Sequence, residues 1–285
     1  MDESRVKRLA IISLFLDESL FDRFTLKGGN AVDLIYQATP RASRDIDISM
    51  PDAFASSELE DVKMRLQRSI VTTFELEGVR AFDFRFEKKP EVLSDDLADF
   101  WGGYRLTYKL IDDSEFRDEK MDLDTARRRS ISVGGRGTVQ IEFSSHEYCE
   151  NRTEVELENF KINVYTPTML ACEKVRAICQ QTEEYRRIVK SHQPVSRARD
   201  FVDVYQLCSI RGVDFSEPST GLLLERCFEA KRVPMKLIRT IPEAREFHRD
   251  SFHAVEDTVR NRDDLLPYDE YFDGVIERLR RGSFL

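Results

Sequence analysis

The chain has 285 residues, 41% of them hydrophobic and 34% charged, with a net charge of -9. That length allows one or two domains with a substantial core. The acidic balance excludes a basic footprint over the whole surface, so any RNA would have to be met by a local patch. Five cysteines (Cys149, Cys172, Cys179, Cys208, Cys227) at irregular spacing exclude a C-x-x-C pair or a Cys/His finger, and buried free thiols are expected. The apolar run from Leu9 to Leu16 is too short to cross a bilayer and has no cleavage site after it, so a cytoplasmic protein is expected.

In chain order, residues 4 to 24 carry Leu9, Ile12, Phe15 and Leu16 at helical spacing. "FTLKGG" then predicts a short strand ending in a glycine turn, and "NAVDLIYQA" a helix with Asn30 as its N-cap, ended at Thr39-Pro40. "DIDIS" predicts a strand in which acids alternate with isoleucines. A helix over 55 to 77 runs into the alternating strand "VRAFDFRFEKK", and after a loose stretch "YRLTYKLID" is a further strand. Residues 112 to 129 are charged enough to predict an exposed loop or hairpin. "GGRGTVQIEFSS" follows as a glycine turn and a strand carrying Glu142, and "FKINVYTP" as another extended piece. From Thr168 onward helical spacing dominates: "TMLACEKVRAICQQTEEYRR", "SRARDFVDVYQLCSI" with Ser196 as cap, "STGLLLERCFEA" and "YDEYFDGVIERLRR". The expected class is α+β. A mixed β-sheet domain flanked by helices occupies residues 1–165, and a mostly helical domain occupies 166–285.

Asp45 and Asp47 stand at i and i+2 of a strand and so face one side of the sheet, with Ile46 and Ile48 behind. Like charges held so close repel, and water or a metal ion must compensate them. By itself the tripeptide reads rather as an exposed strand edge with two solvated acids. Gly28 and Gly29, between a strand and a helix start, let backbone N–H groups approach a phosphate. A phosphate cradle followed by a two-acid strand is the pairing that nucleotidyl transfer requires. Mg2+ takes oxygen donors and binds through one or two carboxylates plus substrate phosphates.

"LKGGNAVDLIY…PRASRDIDIS" resembles the signature of the AbiEii-type nucleotidyltransferase toxins, within the DNA polymerase β-like superfamily. The matching residues are Gly28, Gly29, Asn30, Arg41, Ser43, Asp45 and Asp47. "LACEKVRAI" places Lys174 at the family's lysine, and "ARDFVDVYQL" supplies Arg199, Asp200 and Asp203. The resemblance covers residues 25 to 210.

It implies transfer of a nucleotidyl group from an NTP, dependent on Mg2+ (or Mn2+), with Asp45 and Asp47 as metal ligands. Gly28, Gly29 and Asn30, with Lys27 beside them, would seat phosphates. Lys174 would place its charge on the triphosphate, Asp200 would orient Lys174 or the acceptor, and Arg199 would touch phosphate. Arg41 and Ser43 would brace the loop, with Ser43 also within reach of a phosphate. A third carboxylate, as ligand or base, is Glu142 or else Asp122 or Asp124; Glu142 is favoured because its strand is better formed.

The resemblance further implies an RNA acceptor such as a tRNA 3′ end, a cognate antitoxin and a toxin role in a toxin–antitoxin or abortive-infection system. A monomer or weak dimer without a membrane partner is expected. The basic run Arg127 to Arg129, otherwise a solvated face, is the candidate RNA patch. A small-molecule nucleotidyltransferase of the antibiotic-modifying kind and a catalytically silent nucleotide binder are the alternatives.

Overall fold

The structure is a computed structural model that describes residues 1–43, 45–116 and 121–285. The chain divides into two compact units. One comprises Met1–Leu26, Arg44–His146 and Glu154–Val164, the other Lys27–Ser43, Glu147–Thr153 and Tyr165–Leu285.

The first unit is built on a mixed seven-stranded sheet, a few strand ends of which belong to the second unit. In chain order the strands are β1 (Thr25–Lys27), β2 (Ile46–Ser49), β3 (Val79–Lys89), β4 (Gly103–Asp112), β5 (Val139–Ser144), β6 (Arg152–Leu157) and β7 (Phe160–Tyr165). Their order across the sheet is β3-β4-β5-β2-β1-β7-β6. β2 runs parallel to β5, whereas β3, β4 and β5 form an antiparallel meander.

Alternation sorts the side chains. Ile46, Ile48, Ile141, Phe143, Tyr104 and Leu106 are all buried, and the residues between them face the other side. The Leu59–Glu75 helix packs on β3 and on the Glu3–Leu14 helix. Its Val62, Leu66, Ile70 and Phe74 form an i, i+4 stripe, and Phe74 meets Tyr108 edge-on with centroids 6.0 Å apart. Each such apolar side chain contributes about 1.5–3 kcal/mol by leaving water.

The second unit is mostly helical. Pro167–Cys179 is capped by Thr166, which accepts from the Met169 N–H, and starts on proline, where no N–H is needed. It packs against Ala198–Arg211 and Pro218–Glu229, and Tyr268–Arg281 closes on Ala198–Arg211. Phe201 stacks on Phe272, with centroids 4.9 Å apart, at that last contact. Among the described residues no helix is long and apolar enough to cross a membrane. None of the five cysteines forms a disulfide among the described residues, and all but the half-buried Cys208 are buried.

Several local expectations are corrected. The first helix breaks at Phe15, because Asp17 caps a separate turn, Glu18–Phe21. The expected 112–129 loop contains helices at Asp113–Phe116 and Leu123–Arg129; its residues 117–120 lie outside the described residues. Asp122 caps the second of these helices, accepting from the Thr125 N–H at 2.6 Å. Asn30 is no N-cap, since the helical turn already begins at Gly28 and Asn30 lies buried within it. That turn widens into a π-helix over Ala31–Ile35 and stops short of Thr39, where Gln37 takes φ +47°. Ser196 is likewise no cap, because its hydroxyl donates to the His248 carbonyl at 2.7 Å and the helix starts after Arg197.

Candidate active site

In the first unit Asp47 and Glu142 stand side by side on the sheet, and Asp45 lies just ahead of β2 rather than within it. Asp47 lies directly opposite Glu142 in the β2–β5 ladder, and Glu142 opposite Arg105 in β4. Asp45, two residues before Asp47, lines a small cavity of about 30 Å3 with Gln140 and Arg136. Glu142 stands beside Asp47 in the register, whereas Asp122 accepts from the Thr125 N–H as the cap of its own helix.

Two arginines not expected from the sequence answer the repulsion between these acids. Arg105 donates to Glu142 Oε1 through Nη2 at 2.9 Å and Nε at 3.3 Å, and Gln140 Nε2 adds a bond at 2.9 Å. Arg136 Nη1 donates to Asp45 Oδ1 at 2.9 Å. Among the described residues no three His, Cys, Asp or Glu side chains converge closely enough to hold an ion unaided. The donor set nevertheless fits Mg2+, which needs only one or two carboxylates and fills its remaining positions with water and phosphate. Asp45 and Asp47 meet that need.

In the second unit the remaining motif residues form a tightly packed knot. Gly28 has φ +67°, a left-handed conformation that favours glycine. Gly29 has room for no side chain, because a Cβ there would lie 2.7 Å from the Ser43 Cβ and closer still to its Oγ. Gly29→Ala is therefore expected to cost about 1–3 kcal/mol, and a second substitution, Ser43→Gly, to recover most of that loss. Urea unfolding of the single and double variants checks this. If Gly29→Ala costs as much in the Ser43→Gly background as in the intact chain, the contact is refuted.

Arg41 is buried with its guanidinium on Asp203, which also takes Lys174 Nζ at 2.7 Å and the Thr39 hydroxyl at 3.1 Å. Lys174 reaches Asp200 as well, at 3.0 Å. Burial opposes the charge on each of these groups but is outweighed. Asp203 is held low by Arg41 and Lys174, Asp200 is held at about 2 chiefly by Lys174, and Lys174 is raised by Asp203 and Asp200. Segment 40–42 also pairs with 258–260, and Arg260 bonds Asp33.

Lys27, expected at a phosphate, reaches Glu173 at 2.9 Å and Glu147 at 3.2 Å. Glu147 also takes Arg176 at 2.6 Å, with Lys231 at 3.7 Å. Nothing in local sequence pattern announces Glu147, Arg176 or Lys231. Arg199 is exposed, and it is Arg197 that donates to Asp200, at 3.3 Å.

His248, close to this cluster, accepts the Arg197 N–H on Nδ1 at 3.1 Å, and burial lowers it to about 4. Between about pH 6.5 and 4 the unfolded chain then binds a proton that the folded chain refuses. Stability is expected to fall by up to about 3 kcal/mol as pH drops through that window. Asp200 adds a further loss as pH falls from 3.8 toward 2. Urea midpoints at pH 7, 5.5 and 4.5 check this, with His248→Asn expected to flatten the slope; an unchanged slope would refute the assignment to His248.

The family profile described as "Nucleotidyl transferase AbiEii toxin, Type IV TA system" matches residues 12–278. The chain belongs to the AbiEii nucleotidyltransferase toxin family. No curated protein matches this AbiEii chain. Among solved structures it is similar to JHP933 from Helicobacter pylori, 13% identical, with 99% of this chain and 90% of that chain covered and a TM-score of 0.51. It is also similar to MenT4, a nucleotidyltransferase toxin from Mycobacterium tuberculosis H37Rv, 13% identical, with 98% and 82% covered and a TM-score of 0.46. At this identity the likeness to JHP933 concerns the fold alone. Within the AbiEii chain, the acids of the two-acid strand and the glycines of the turn belong to different compact units.

Proposed function

We propose that this AbiEii protein transfers a nucleotidyl group from a nucleoside triphosphate to the 3′ end of an RNA, with tRNA as the acceptor, and that a cognate antitoxin restrains it. The observation that carries this reading is the row formed by Asp47 and Glu142 on neighbouring parallel strands, with Asp45 two residues before. Asp45 and Asp47, with Glu142 as third ligand, would hold a divalent cation, Mg2+ or Mn2+, which would supply charge neutralisation for the triphosphate and the leaving pyrophosphate. Glu142 is also the carboxylate suited to take the proton of the attacking hydroxyl, and Arg105 and Gln140 fix its position.

Lys174 is the cation suited to the triphosphate, with Asp200 fixing its ammonium. Of the glycine turn, half-buried Gly28 is the part open to phosphate, since Gly29 and Asn30 are buried. The packing of Arg41 and Ser43 supports bracing roles for both. The Arg127–Arg129 run is less suited to RNA than its charge suggests, because Arg127 is spent on Asp83 at 2.7 and 2.8 Å.

The test is incubation of the purified chain with labelled NTPs, Mg2+ and either total tRNA or cationic small molecules of the antibiotic kind. Label is expected in tRNA. Label only in the small molecule would establish the antibiotic-modifying alternative, and no transfer with any NTP would leave a silent nucleotide binder. Expression is expected to arrest a bacterial host, with Asp47→Ala relieving the arrest.

A further inference from the structure

We propose that Arg136 is a nucleotide-binding residue, one that exchanges its ion pair with Asp45 for oxygens of the incoming triphosphate and thereby couples nucleotide binding to metal binding. This rests on the nucleotidyl-transfer reading of the acidic row and adds a residue to it.

The argument begins with charge. Asp47 stands beside Glu142, with Asp45 two residues before it, and among the described residues Arg105 bonds Glu142 and Arg136 bonds Asp45. A divalent cation seated on Asp45 competes with Arg136 for the same carboxylate. The two arginines differ in their freedom to yield. Arg105 lies within β4 with its Cα in register opposite Glu142, and Gln140 shares its acceptor, so it stays.

Arg136 ends a tight turn from Val133, closed by reciprocal backbone bonds of 2.8 and 3.0 Å. Its tip, Gly134 and Gly135, takes φ +57° and +78°, as a two-residue hairpin turn demands. A Cβ on Gly134 would come within 2.7 Å of the Glu3 carboxylate, which is itself bonded to Lys7, so the turn lies close against that side chain. The Arg136 side chain, at the end of this hydrogen-bonded turn, is 53% exposed, which leaves solvent space for it to turn away from Asp45. A guanidinium displaced from one carboxylate takes phosphate oxygens in the same forked geometry, and a triphosphate is the anion that the proposed reaction brings there.

Two effects of opposite sign follow. Arg136 weakens binding of the metal alone, because it holds Asp45, and strengthens binding of the metal–nucleotide pair, because it grips phosphate.

The test measures Mn2+ affinity alone, and the affinity of a non-hydrolysable NTP analogue with Mn2+, for the intact chain, Arg136→Gln and Asp45→Asn. Arg136→Gln is expected to tighten Mn2+ alone by roughly two- to fivefold, the range an exposed ion pair is worth. The same variant is expected to weaken the analogue by roughly tenfold or more, as for a lost charge-assisted bond. Asp45→Asn is expected to lose Mn2+. If Asp45→Asn loses Mn2+ while Arg136→Gln leaves the analogue within about twofold of the intact chain, or weakens Mn2+ alone, the exchange is overturned and the metal seat stands. If Asp45→Asn keeps the metal, the seat itself is wrong and the exchange falls with it.

Discussion

Asp47→Asn is expected to abolish nucleotidyl transfer, by about a thousandfold or more, while leaving the chain folded. The substitution keeps the shape of a side chain in a strand whose isoleucines form the core, so packing is preserved. What it removes is an anionic oxygen beside Glu142. Stabilisation of phosphoryl charge by a bound metal is worth several kcal/mol, and each 1.4 kcal/mol is tenfold in rate. The buried face of the strand is untouched, so the chain is expected to keep a cooperative melting transition. Transfer rate and melting temperature, measured on the same preparation, check both halves. Activity within tenfold of the intact chain would remove Asp47 from the metal site.

Asp203→Ala is expected to cause the largest loss of stability, about 3–5 kcal/mol. Asp203 is 0% exposed and faces two buried cations, Arg41 and Lys174. Lys174 retains Asp200 when Asp203 is removed. Arg41 loses its carboxylate in a site where its Nε already has no hydrogen-bond partner among the described residues. An uncompensated buried charge costs far more than the pair contributes, so replacing both partners is the informative control. Arg41→Met with Asp203→Leu is expected to recover most of the loss, because Lys174 stays paired. Denaturant unfolding of the three variants checks this. A loss below about 1 kcal/mol for Asp203→Ala, within the range of an exposed pair, would show that the contact does not hold segment 27–43 on its unit.

Periodicity made the sheet legible wherever one face is buried. β3, β4 and β5 alternate apolar with polar residues, and the expected strands match the observed ones closely. β6 escaped because its Glu-rich sequence buries little besides Leu157. Its hairpin with β7 turns on Glu158 and Asn159, both left-handed, without a glycine to announce it. The charged stretch after β4 read as loop because its second helix buries only Ala126 and offers no apolar stripe.

At the candidate site, the acids were legible from strand alternation and the two glycines from their place before a helical run. Glu142 was favoured from its well-formed strand, but that it stands beside Asp47 and opposite Arg105 needed strand register, since no local pattern states which residues stand side by side in a sheet. Arg136 was visible as part of a glycine-rich turn, but its partner Asp45 lies 91 residues away. The membership of segment 27–43 in the helical unit depends on Arg41 meeting Asp203, 162 residues on.

The most direct measurement follows two labels on one nucleotide. The intact chain is incubated with Mg2+, tRNA and an NTP labelled at either the α- or the γ-phosphate. Nucleotidyl transfer requires the α label to enter the RNA and the γ label to leave with pyrophosphate, and Asp47→Asn to lose both events. Entry of the γ label into RNA would mean phosphoryl transfer, and transfer surviving in Asp47→Asn would place the chemistry elsewhere; either result would contradict the assigned site.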